Sequence, residues 1–160
     1  MGERRHHCVR RDLPRVPLYP DFWQWADWGR ELMDLHVGYD QAEPFPLERT
    51  DIPPKEGETV TPKPLLKADK EGGRILVDTA TTLSGIPSEA WAYQLGTRCA
   101  IDWVLDQHKE KKPKDPTVRE LFNTYRFADH KEAVIDLLRR VTTVSVRTQA
   151  IVANMAGAER

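Results

Sequence analysis

A chain of 160 residues, 39% hydrophobic and 31% charged, is long enough to bury a real core as one domain and carries a large polar surface. No apolar run reaches membrane-spanning length, the N-terminus is charged rather than a signal segment, and Cys8 and Cys99 are too few and too far apart for a disulfide framework or a zinc site. The net charge of −1 argues against a protein that coats DNA non-specifically, though not against a basic face, and a cytoplasmic protein is the expectation.

The charge is unevenly spread. Residues 27–58 hold nine acidic and three basic side chains, residues 1–15 hold five Arg against Glu3 and Asp12, and residues 109–114 hold four Lys against Glu110.

Residues 1–12 show no apolar period and read as a disordered lead-in. Leu13-Pro14-Arg15-Val16-Pro17 is extended because its prolines oppose helix. Pro20-Asp21 opens a long helix, with Phe22, Trp25, Trp28 or Gly29, Leu32, Leu35, His36 and Tyr39 on one apolar stripe. Six prolines across residues 41–64 make a long irregular connection, either an ordered wrap or a mobile arm. Residues 64–67 and 74–78 read as short strands joined by the Asp69-Lys70-Glu71-Gly72-Gly73 turn, and the Thr-rich stretch 79–85 reads as a third.

The chain is organised around residues 83–107. Gly85 and Pro87 end the extended segment, Ser88 caps a short helical turn with Trp91 and Tyr93, Gly96 breaks that turn, and Thr97 caps a helix with Ala100, Ile101, Val104 and Leu105 on one face. A Lys-rich loop follows, and Asp115-Pro116 supplies a cap and first-turn proline for a short helix. Asp129 to Glu132 resembles a capping box for the last helix, whose apolar residues run from Val134 to Met155, on the order of 35 Å. The fold class is α+β: a long N-terminal helix, a small β-sheet in the middle, and a helical C-terminal half ending in a long helix.

Catalytic signatures are missing. There is no phosphate-binding Gly-x-x-x-x-Gly-Lys loop, no Gly-x-Ser-x-Gly elbow, no paired-Cys motif and no Asn/Asp-Pro-Pro-aromatic turn of an adenine methyltransferase. Glu31, Asp34 and His36 lie close along one helix, and Asp102 and Asp106 are one turn apart on another, but exposed helix faces commonly look like this. No metal and no cofactor is expected, and His36, on the apolar stripe, is expected to be buried and hydrogen-bonded.

Nucleic-acid contact has three candidate groups. Lys109, Lys111, Lys112 and Lys114 follow a helix, with Arg119, Tyr125 and Arg126 beyond them; the same lysines also suit a helix dipole and a soluble loop. Lys63, Lys67, Lys70 and Arg74 surround the hairpin, where a polar hairpin is the commoner explanation. Gln94, Thr97 and Arg98 lie beside Gly96, although Arg98 also has Asp102 one turn on as an ion-pair partner. Trp23, Trp28, Trp91 and Trp103 can stack on bases or fill a core.

The Leu-Pro-Arg-Val-Pro entry, the aromatic helix with its Leu35-His36-x-x-Tyr39-Asp40 ending, residues 86–107, and Asp136-Leu137-Leu138-Arg139-Arg140-Val141 carry a resemblance to a known family. The chain resembles the C-terminal specificity region of type ISP restriction-modification enzymes, single chains that combine nuclease, helicase-like motor, adenine methyltransferase and target recognition. The resemblance implies a non-catalytic domain that reads an asymmetric sequence in double-stranded DNA and works with the methyltransferase and helicase part of the same system. It implies a single domain: residues 13–40 as a docking helix, 41–64 as a Pro-rich connection and 65–155 as the specificity body. It also implies a detached specificity domain, a truncated product or the tail of a split enzyme. The alternative is a protein-interaction module that docks on such a partner without reading DNA.

Overall fold

The computed structural model describes residues 21–53, 61–111, 113–122 and 124–158. The basic lead-in, the Leu13–Pro17 entry and Lys112 lie outside them.

Helix α1 spans Phe22–Val37 and starts where expected, with the Asp21 carboxylate accepting from the Gln24 N–H at 3.0 Å. Its inner stripe is narrower than the sequence implies: Leu35 is buried and Trp28 and Leu32 are partly so, whereas Phe22 is 67% exposed. Gly38 stops the helix, so Tyr39 falls in a separate 3-10 turn, Tyr39–Gln41.

The Pro-rich connection is an ordered wrap through residues 42–53, fastened to the last helix. Arg140 donates to the Ala42 carbonyl at 2.6 Å, the Thr143 hydroxyl to the Glu43 carbonyl at 2.7 Å, and the Phe45 N–H to the Arg139 carbonyl at 3.1 Å. The wrap also contains a strand that hydropathy does not mark, β1 (Glu48–Asp51), all four residues exposed. Backbone pairing makes it a strand.

The sheet is antiparallel, ordered β1-β4-β3-β2, with β2 Pro64–Asp69, β3 Arg74–Asp78 and β4 Thr81–Ser84. The expected hairpin and third strand are therefore present. In the β2–β3 turn the Asp69 carboxylate accepts from the Gly72 N–H at 3.0 Å, and Gly73 takes a positive φ of 60°. The outer strand β2 slips register between Pro64 and Lys67, with Leu66 itself at φ 45°.

After the sheet, α2 (Ser88–Ala92) has Pro87 rather than Ser88 at its cap position. A second hairpin follows, β5 (Gln94–Leu95) with β6 (Arg98–Cys99), so Gly96 and Thr97 form its turn. Thr97 therefore does not cap α3 (Ala100–Gln107), whose cap position is Cys99. Helix α4 (Pro116–Phe122) begins as expected, with Asp115 accepting from the Val118 N–H at 3.0 Å.

Helix α5 runs over Phe127–Gly157, 31 residues or about 46 Å, longer than expected because it extends seven residues before Val134 and two beyond Met155. No side chain of its own caps it. Instead Glu110, from the Lys-rich loop, accepts from the Phe127 N–H at 2.9 Å. Buried Thr142 and Ser145 bond back to the carbonyls of Leu138 and Val141, both at 2.7 Å, which satisfies hydroxyls that otherwise have no water.

Two cores sit on this one helix. Its N-terminal half, through Phe127, Val134, Ile135 and Leu138, joins Ile75, Val77, Leu83, Trp91 and Ile101 of the sheet, α2 and α3. Its C-terminal half, through Val144 and Ile151, meets Leu35 of α1, with Trp28, Leu32 and Met155 alongside. No helix among the described residues is long and apolar enough to cross a membrane.

Candidate functional site

Strand β2 packs against α3, and that contact brings together basic residues far apart in the chain. Lys67 and Lys70 from the first hairpin, Arg98 from β6 and Lys109 after α3 line one open cleft of about 560 Å³, with Asp102 and Asp106 on its α3 wall. Four cations against two carboxylates leave the cleft positive. Lys111, exposed beside it, adds to the field at Asp106.

The charges are organised. The Lys70 ammonium donates to Asp102 at 2.7 Å and lies 5.9 Å from the Trp91 ring centroid. Arg98 pairs with Asp106 at 3.3 Å, not with the Asp102 partner expected from helical spacing, because Arg98 is in a strand and the i,i+4 rule does not apply. Its guanidinium also lies over Trp103, 5.4 Å from the ring centroid. Lys109 approaches Asp106 at 3.6 Å. Burial works to raise the Asp102 carboxyl's pKa, but the Lys70 ammonium and the Cys99 thiol outweigh it, so the group stays below the usual carboxylate range. Burial likewise opposes ionisation of Asp106, and the field of Arg98, Lys109 and Lys111 overrides it.

The other candidates lie apart from the cleft or are engaged elsewhere. Arg74 clasps Asp69 at 2.7 Å, and Lys63 contributes its backbone N–H to Thr79 at 3.1 Å. Arg119 donates to the carbonyls of Pro113 and Lys114, clamping its own loop. The Tyr125 hydroxyl donates to the His108 carbonyl at 3.1 Å and its ring stacks on His130; Arg126 donates to the Tyr125 carbonyl. Gln94 donates to the Trp91 carbonyl at 2.8 Å.

His36 corrects the expectation of a buried side chain. It is exposed, yet both ring nitrogens are engaged: Nδ1 with the Leu32 carbonyl at 2.6 Å and Nε2 with the Tyr93 hydroxyl at 2.7 Å. A carbonyl only accepts, so Nδ1 carries a proton and donates to Leu32, while Nε2 shares a hydrogen bond with the Tyr93 hydroxyl. Of the carboxylates considered for a metal, Glu31 pairs with Arg147 at 3.2 Å and Asp102 with Lys70. Among the tryptophans, Trp91 is core, whereas Trp23 and Trp103 are 73% and 45% exposed. Sequence reasoning missed Trp103 as the platform for Arg98 and Asp106 as its partner, because Arg98 lies in a hairpin strand whose neighbours helical spacing does not give.

The family model described as the Type ISP C-terminal specificity domain matches residues 6–137. The chain belongs to that family. Solved structures share its fold. DrdV, in a cryoEM complex with DNA, is 54% identical, with a TM-score of 0.83 over 92% of this chain and 15% of DrdV. A nuclease-deletion mutant of the Type ISP restriction-modification enzyme LlaGI, in complex with a DNA substrate mimic, is 27% identical, with a TM-score of 0.61 over 89% of this chain and 13% of that one. The ATP-dependent Type ISP restriction-modification enzyme LlaBIII, bound to DNA, shares the fold at 24% identity and a TM-score of 0.67, over 92% of this chain and 9% of LlaBIII. The chain thus spans a small part of the length of each of these proteins. No curated protein sequence matches it.

Proposed function

We propose that this specificity domain recognises a double-stranded DNA target for a type ISP restriction-modification system, supplying contacts rather than catalysis, with methylation and translocation carried out by other parts of the system. The observation that carries the proposal is the convergence of Lys67, Lys70, Arg98 and Lys109 from separate elements on one positive cleft. Similar domains that belong to DNA-bound enzymes support it. Lys67, Lys109 and Lys111 suit phosphate, being flexible point charges on an exposed rim.

Fluorescence anisotropy with a pool of random-sequence duplexes tests this, using the wild-type chain and a Lys67→Ala/Lys109→Ala/Lys111→Ala variant. Each lost phosphate contact removes about 0.9 from the log–log salt slope, so between about 50 and 200 mM salt the wild type is expected to weaken about 40-fold more than the variant. Equal slopes overturn the assignment of these lysines.

A second role, docking, has its own support. Phe22, Trp23, Met33 and Val37 on α1 face solvent at 59–78% exposure. This apolar face fits the methyltransferase part of the same system as its partner. Absence of wild-type binding at low salt leaves docking as the function and direct DNA recognition wrong.

A further inference from the structure

We infer that the β5–β6 hairpin is the base-reading element of the domain, and that Arg98 contacts a guanine while Asp106 and Trp103 position it. This rests on the proposed DNA recognition and specifies which residue reads sequence.

The hairpin has the build of a fixed probe. Gln94 pairs with Cys99 and Leu95 with Arg98, leaving Gly96 and Thr97 as a two-residue loop. Gly96 has φ +71° while Thr97 has no positive φ, the pattern of a type II′ turn that matches strand twist. Nothing lies within 4 Å of where a Gly96 Cβ would be, and residues 94–98 are all exposed, so the tip is open to a close partner.

Its root is locked. The Trp103 indole N–H donates to the Leu95 carbonyl at 2.9 Å, Gln94 donates to the Trp91 carbonyl at 2.8 Å, and the Ala100 N–H donates to the Tyr93 carbonyl at 3.2 Å. Cys99, at the base, is fully buried. Trp103 therefore does two jobs: its nitrogen fixes the hairpin and its face lies beneath the Arg98 guanidinium.

Arg98 is about half exposed and its contact with Asp106 runs through Nη1. A guanidinium carries five N–H donors in a rigid fork, so one edge can hold a carboxylate while another meets the O6 and N7 of guanine. Holding the head between a carboxylate and an indole removes rotamer freedom before binding, which favours bidentate contact over loose phosphate contact. A narrow two-stranded ribbon fits a major groove. Lys67 and Lys109 on the same cleft are placed to take the flanking phosphates.

The test is selection of bound duplexes from a random pool, followed by sequencing, with the full chain and its Arg98→Lys and Asp106→Asn variants. The wild type is expected to enrich a motif containing a guanine. Arg98→Lys is expected to lose about 10- to 100-fold of the preference at that one guanine, with the remaining motif and the salt slope retained. Asp106→Asn is expected to weaken the same position by less, since it only positions the fork. An unchanged guanine preference in Arg98→Lys overturns the inference, as does a uniform loss across the motif. Salt-dependent wild-type binding without any enriched guanine also overturns it while leaving DNA binding intact. No wild-type binding at all overturns the underlying function as well.

Discussion

Asp78→Ala is expected to cost about 3–5 kcal/mol of folding stability, the range for breaking a buried ion pair from one side. Asp78 is 4% exposed at the end of β3. One carboxylate oxygen meets the Lys131 ammonium of α5 at 2.7 Å; the other accepts from the N–H groups of Ala80 and Thr81 at 2.8 and 2.7 Å. Lys131 also donates to the Thr81 hydroxyl, which donates onward to Asp51 of β1. Removing the carboxylate takes the ion-pair partner from Lys131 and the acceptor from two amides at the joint that fixes the sheet to α5. Urea unfolding would show a lower midpoint at unchanged m. Asp78→Asn, which keeps an acceptor for the turn, should lose less, and adding Lys131→Met to Asp78→Ala should recover part of the loss. A loss below about 1 kcal/mol would mean that water relieves the joint.

Phe127→Ala is expected to lose about 3–5 kcal/mol as well, for a different reason. Phe127 is 1% exposed, among the largest fully buried side chains, at the first turn of α5. Its loss leaves a cavity between α5 and the rest of the larger core. Its N–H is also the donor that Glu110 accepts, so a displaced first turn would release the Lys-rich loop. Faster tryptic cleavage at Lys109 and Lys111 should therefore accompany the lower stability. Leu121→Ala, at a site 62% exposed on α4, is the control and should change stability by no more than about 0.5 kcal/mol.

What the sequence shows of this fold follows from how local each signal is. Asp21 and Asp115 cap the helices they precede, and the Gly-rich turn and apolar alternation of residues 64–84 give the hairpin and the strand after it, because those interactions span only a few residues. Strand β1 escapes because Glu-Arg-Thr-Asp has no buried face; its order comes from β4 and from Arg49, which clasps Glu132 more than eighty residues away. The cap on α5 escapes for the same reason, since Glu110 lies seventeen positions upstream. At the cleft, the residue types are legible and their convergence is not. Lys67, Lys70, Arg98 and Lys109 belong to three separate stretches, and only the packing of β2 on α3 makes them neighbours. Gly96 shows the opposite failure: a helix breaker by sequence, it is the tip of a hairpin.

The two cores on α5 are unequal, and that inequality sets an order of opening. The larger takes in the sheet, α2 and α3; the smaller rests on Leu35, Val144 and Ile151. With fewer apolar side chains holding it, α1 can detach while the rest stays folded. Amide hydrogens of α1 should then exchange with solvent deuterium well before those of β3 or the first half of α5, and Leu35→Ala should speed only the former. The domain would behave mechanically as a rigid reading head on a latch, with α1 the part that yields first under load.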